Sequence, residues 1–324
     1  MASSLPAGRD VASGPRREQG AGGGRGFMQT GRAAAGLASE RVELWAPGAL
    51  ASLAFAGWLP FVLAIVTLPT VGDLGFLGTS IGISPNFPWN VILLAIAAGL
   101  TLVAASVAVA TGEAALQRGI DRATGRASSS RSLDDESARL WVVQLVAALP
   151  ALVVIIATLL VGSSVAQSEY QSPDIGGPFA FRLARDLWPL LAALVACVIL
   201  GQAFGGSAQR AARGPDARPL SAALAQGLRA VIRHPLRTLL VTLVSDLALV
   251  VWLVLSWALL HVLWAPIGRA VGRGALLESG TALLLVGFVA IWLCLVAAGG
   301  ALHAWSSSWW SLDLDGHAAG EGGG

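Results

Sequence analysis

Apolar residues dominate six stretches of the chain: Ala46–Leu68, Trp89–Ala110, Leu140–Val161, Leu187–Phe204, Thr238–Trp264 and Thr281–Trp305. Each comes close to the ~20 residues that carry a helix across a bilayer. Barrel strands need only about ten alternating residues, so these runs are too long for that architecture. In hydrocarbon every backbone N–H and C=O needs a partner within the chain, which makes such runs helices. The pattern predicts an all-α integral membrane protein with six transmembrane helices within residues 31–312. Residues 1–30 are mostly Gly, Ala, Ser and Arg. They hold too little apolar surface to fold alone and lack the apolar core of a secretory signal. They are expected to be disordered, as is the tail at residues 313–324.

The segments fall into pairs. "LPFVLAIVTL" from Leu59, "LPALVVIIATLL" from Leu149 and "DLALVVWLVLSW" from Asp246 share a layout in segments one, three and five. Segments two, four and six end in small residues followed by a short polar run: "ATGEAALQRG", "GQAFGGSAQR" and "AAGGALHAW". This reads as three helix-hairpin repeats, each preceded by a short amphipathic lead-in segment. In "LSAALAQGLRAVIRHPL" the residues Leu220, Leu224, Leu228 and Val231 share one helical face, and Gln226, Arg229 and Arg233 share the other. Such a helix suits the membrane surface. Arg229, Arg233 and Arg237 are candidates for contact with anionic lipid headgroups, although simple topological bias also accounts for them.

Charge sets the orientation. The chain has 21 basic residues, all of them arginine. Seventeen lie in the N-terminal segment and in the connections between segments two and three and between four and five, against four in the opposite loops. An excess of basic residues marks the cytoplasmic side, so both termini are expected inside a bacterial cytoplasmic membrane. Topology explains the arginines without nucleic acid as a partner. Eight of the 12 tryptophans fall at segment ends, as an interfacial aromatic belt requires.

One residue breaks the apolar pattern. Asp246 lies nine residues past Arg237, roughly 13 Å along a helix and near the middle of a ~30 Å hydrocarbon core. A charge there costs about 2.5–3.5 kcal/mol on insertion scales. Asp246 must therefore face protein or water, or carry a proton. The expected partners are Thr242, one turn earlier, with Gln144 and Gln202 on neighbouring segments. Two roles compete: a proton- or cation-carrying group in a permease, or a protonated acid tying helices together. In the repeat alignment Asp246 matches the positions before Pro60 and Pro150. All three odd helices are thus expected to be irregular at one depth, where transporters place sites.

Other chemistry finds no footing. With no lysine, a phosphate-cradling Walker loop and Schiff-base catalysis are excluded. The four histidines show no metal-ligand spacing. Ser207 in "FGGSAQ" lacks the glycine that an intramembrane serine protease places after its nucleophile. Cys197 and Cys294 read as small apolar filler. No cofactor, metal or catalytic residue is expected. The layout resembles the six-helix membrane region of some glycerophosphodiester phosphodiesterases and related bacterial membrane proteins. "LAQGLRAVIRHPLRTLLVTLV" leading into segment five and "AAGGALHAWSSSWW" closing segment six carry the likeness, across about Phe27 to Leu312. The resemblance implies a membrane domain without chemistry of its own and transfers no catalytic residue. The leading expectation is a non-enzymatic scaffold or partner of other membrane components, with a small-solute or cation permease as the alternative.

Overall fold

The computed structural model describes residues 26–66, 85–126, 131–171, 179–213, 219–274 and 279–321. Among them lie ten α-helices and no strand. These are α1 (Phe27–Glu40), α2 (Trp45–Ser52), α3 (Leu59–Ile65), α4 (Trp89–Thr124), α5 (Leu133–Gln171), α6 (Phe179–Asp186), α7 (Trp188–Ala212), α8 (Leu220–Arg233), α9 (Pro235–Gly272) and α10 (Ser279–Glu321). The chain is an all-α membrane protein. Five helices (α4, α5, α7, α9 and α10) are each long and apolar enough to cross a bilayer, and α2 with α3 supplies a sixth span if the bent pair counts as one.

Helix boundaries follow local chemistry. Pro189 and Pro235 open α7 and α9, where a missing N–H costs nothing and the fixed φ suits the first turn. Gly125 ends α4 in a left-handed conformation (φ 71°). Its N–H reaches the Arg122 carbonyl and the Arg126 N–H reaches the Asp121 carbonyl, which satisfies two of the free helix-end acceptors.

Several boundaries differ from expectation. Residues 27–30 belong to α1 and residues 313–321 to α10, so helix extends into both stretches. The Asp313 carboxylate is buried and holds Arg237 at 2.7 Å, which fixes the last turns of α10. Residues 1–25 and 322–324, and the last two residues of the expected first span, lie outside the described residues. Only one odd helix is broken. A π-helical turn (Leu53–Gly57) and Trp58 separate α2 from α3, with a 44° bend just before Pro60. By contrast, α5 runs unbroken through Pro150 and α9 through Ser245–Asp246. The shared irregularity expected at one depth is therefore absent from those two helices.

Large apolar side chains on α4, α5, α9 and α10 are exposed, among them Leu100, Leu102, Leu159 and Leu283. A belt of this extent is lipid-facing surface. Among the described residues, four buried apolar clusters lie toward the arginine-rich end, and a fifth, built on Ala64, Leu260, Ile267 and Phe288, lies at the opposite end. At 36 residues, α4 is about 54 Å long and overshoots a ~30 Å core. Its buried residues run from Ala110 to Ile120, beyond the apolar half. The spans close into a ring: α4 packs on α5, α5 on α7, α7 on α9, α9 on α10, α10 on α2 and α2 on α4.

The three expected units pack cyclically. α8 lies on the end of α7, with Leu220, Ala223 and Leu224 against Ala208 and Ala212. α1 lies on the end of α10, with Ala34 against Trp309. Among the described residues the second unit has no separate lead-in helix; the first turns of α5 do that work, with Leu133 and Leu140 against Ala110 and Ala114 of α4. Each lead-in element thus covers the helix that closes the preceding unit. The apolar stripe expected on α8 is divided: Leu220 and Leu224 pack on α7, whereas Val231 is half-buried and Leu228 is exposed beside Arg229.

Candidate functional site

Within the ring lies a partly open cavity of about 420 Å³, lined by α4, α5, α7, α9 and α10. The four residues singled out around the intramembrane acid all line it: Asp246 and Thr242 from α9, Gln144 from α5 and Gln202 from α7. Phe55 enters from the π-helical turn, an irregularity often found at functional sites. The main run of exposed apolar residues on α9 extends from Leu236 to Val262, with Val271 exposed beyond it. Asp246 lies three residues from the centre of that run, roughly 5 Å, so it sits close to mid-belt.

The expected hydrogen bonds to Asp246 do not form. The Thr242 hydroxyl donates to the Thr238 carbonyl at 2.9 Å on its own helix. Among the described residues, neither the half-buried Asp246 carboxylate nor the amides of Gln144 and Gln202 have a partner. The neighbouring Ser245 hydroxyl is buried and also unpaired among the described residues. The acid therefore faces the cavity and makes no hydrogen bond between helices among the described residues.

At the arginine-rich end of the same cavity lies a second polar group. Glu113 of α4 is 5 % exposed. Its Oε1 accepts from Ser307 Oγ at 2.7 Å, from Gln117 Nε2 at 2.8 Å and from Arg210 Nη2 at 3.4 Å. Its Oε2 lies 2.9 Å from His303 Nε2. Arg210 also donates to the Ser307 hydroxyl (2.8 Å), the Ser307 carbonyl (3.0 Å) and the Gly206 carbonyl (3.1 Å). Its guanidinium stands 5.9 Å from the Trp310 ring centre, within cation–π range. In a hydrolytic triad the imidazole bonds the hydroxyl and the carboxylate bonds the imidazole. Here Ser307 and His303 occupy separate oxygens of one carboxylate, so the imidazole does not bond the hydroxyl as it does in a triad.

The polar network continues outward. Gln117, fully buried, accepts from Arg213 Nη1 at 3.0 Å. Arg213 also pairs with Asp121 at 2.8 Å and with Glu136, which in turn holds Arg118 at 2.6 Å. This network joins α4, α5 and α7 between the cavity and the arginine-rich surface. Arg237 is drawn to Asp313, which diverts it from the headgroup role considered for it; Arg229 and Arg233 are exposed on α8.

No family model, curated protein or solved structure matches the chain. The geometry alone must carry the functional reading.

Glu113, Arg210, His303 and Ser307 were not expected as site residues. Arg210 reads as one of many topology-setting arginines, and the other three as polar helix ends. Two readable signals did exist. Glu113, Gln117 and Asp121 recur every four residues on one face of α4, opposite Arg210 and Arg213. All three even segments also end in polar runs after small residues. His261, by contrast, packs beside Trp257 on α9. Cys197 is not simple filler, since it lines the cavity, whereas Cys294 is exposed. Among the described residues no three His, Cys, Asp or Glu side chains are grouped to hold a metal ion.

Proposed function

We propose that the protein is a permease for a small solute or cation, with the ring's central cavity as the binding site and Asp246 as the charged group within it. The observation that carries this reading is the Asp246 carboxylate, without a partner among the described residues, on a cavity of about 420 Å³ within the apolar belt. That volume lies within the ~300–1,000 Å³ of small-molecule sites. Intramembrane acids that face a cavity mark solute and ion pathways. The structural alternative for Asp246 is a helix-tying hydrogen bond of about 0.6–2 kcal/mol, and Asp246 makes no such bond among the described residues. The division of the arginines, 17 against 4, supports a bacterial cytoplasmic membrane with both termini inside.

The test is charge movement in proteoliposomes fused to a solid-supported membrane. Concentration jumps of Na+, K+, ethylammonium, acetate and protons are applied to the purified protein and to Asp246→Asn. A transient current for at least one solute, lost in Asp246→Asn, is expected. No current for any of them, in protein shown to be folded, would overturn the reading.

A further inference from the structure

We infer that the cavity takes a small organic monocation, an ammonium group on a short apolar body; the inference rests on the solute-binding reading above. The first observation is the charge balance of the lining. Its ionisable groups are the acids Glu113 and Asp246, the base Arg210, and His303. Glu113 is satisfied internally by Arg210, Ser307, Gln117 and His303. Asp246 has no counterpart of opposite charge among the described residues. A ligand bearing one positive charge would offset the cost of that acid within an apolar belt.

The second observation is the chemistry of the lining that Asp246 shares. The buried Ser245 hydroxyl lacks a partner among the described residues, and the side-chain carbonyls of Gln144 and Gln202 are likewise uncommitted. These are acceptors for the several N–H donors of an ammonium group. The remaining wall is apolar, with Leu145, Val198 and Leu249 near Trp141. Aliphatic walls bury an alkyl body, and an indole face attracts a cation. Hard inorganic cations fit less well. Calcium takes six to eight oxygens and magnesium near-ideal octahedral geometry, and the described residues include no cluster of metal-binding side chains. An anion would have to be held by Arg210, whose Nη atoms already serve Glu113, Ser307 and Gly206. Its Nε is buried and unpaired among the described residues, so a carboxylate is the competing ligand to test.

Cys197 in the cavity wall is a built-in reporter. In Cys294→Ala protein, its reaction rate is measured with a cationic methanethiosulfonate (trimethylammonium-ethyl) and an anionic one (sulfonatoethyl), each divided by its rate with a free thiol. The cationic reagent should be favoured by about tenfold or more, as expected for a nearby fixed negative charge in a poorly screened site. Ethylammonium should slow it, and acetate should not. Asp246→Asn should remove the preference, while Asp246→Glu should keep it. If Asp246→Asn does not fold, loss of the preference on protonating wild-type protein at low pH replaces it.

Equal or reversed preference, protection by acetate, or no reaction with either reagent would overturn the inference. The two levels separate cleanly. Cation preference with no current in the flux assay removes transport and leaves the cation site. Current for acetate with no cation preference removes the ammonium assignment and leaves the permease.

Discussion

Replacing Glu113 with alanine probes the tightest knot in the structure. The Glu113 and Arg210 side chains are 7 % and 11 % exposed. Removing the carboxylate leaves the Arg210 guanidinium buried with only Ser307 and Gly206 as hydrogen-bond partners, and strips Gln117 and Ser307 of an acceptor. Breaking a buried pair from one side costs about 3–5 kcal/mol, because the surviving charge has lost its compensation. The His303 contact adds little, since that side chain is 28 % exposed and solvent screens the pair. Glu113→Ala is therefore expected to destabilise by about 3–4 kcal/mol. The assay is unfolding by SDS in dodecyl maltoside micelles, followed by tryptophan fluorescence; Trp310, beside Arg210, reports locally. Glu113→Leu combined with Arg210→Met removes both charges. It should cost less than Glu113→Ala alone, with a coupling of about 2 kcal/mol or more. A loss below ~1 kcal/mol for Glu113→Ala, additive with Arg210→Met, would refute the claim that this pair is a desolvated lock.

Other expectations follow from single contacts. A Cβ on Gly201 would stand 2.6 Å from the Ala147 carbonyl oxygen, so Gly201→Ala must part α5 from α7, at about 1–3 kcal/mol in the same assay. Gly99→Ala is the control: nothing lies within 4 Å of its Cβ, and helix propensity favours alanine by up to ~1 kcal/mol. Asp313→Ala releases Arg237, whose side chain is 31 % exposed. The global loss should be only about 1 kcal/mol, but limited proteolysis within residues 314–321 should accelerate severalfold. Unchanged proteolysis would show that the Arg237 pair does not hold the end of α10.

The fold was legible where lipid imposes the pattern. Residues that must face hydrocarbon are apolar over a fixed length, which located the spans and made Asp246 stand out as a lone acid. The helix ends were not legible. Beyond the bilayer the ends of α4, α7 and α10 pack on one another and on α1, α8 and the start of α5, using small and polar residues that read as ordinary loop composition. Gly112 and Glu113 look like a helix end in "ATGEAALQRG", yet the helix runs on to Thr124. Pro60 and Pro150 stand in similar "LP" sequences with opposite outcomes. One follows a π-helical turn and a 44° bend, while the other sits inside continuous helix. The residues around each proline, rather than the proline alone, decide whether the helix breaks. The Glu113 group was missed because it exists only where three helices from distant parts of the chain converge. Asp246, Thr242, Gln144 and Gln202 were found together because their approximate depths can be counted along helices.

The most direct measurement is water access at position 246. Cys197 and Cys294 are replaced by alanine and Asp246 by cysteine, and sealed vesicles of both orientations are exposed to a membrane-impermeant thiol reagent. A cavity that admits a solute predicts labelling, from the side of the arginine-rich end if the cavity is open there. Absence of labelling from either side, in protein that elutes as a single folded species, would contradict the claim that Asp246 faces a solute-accessible cavity.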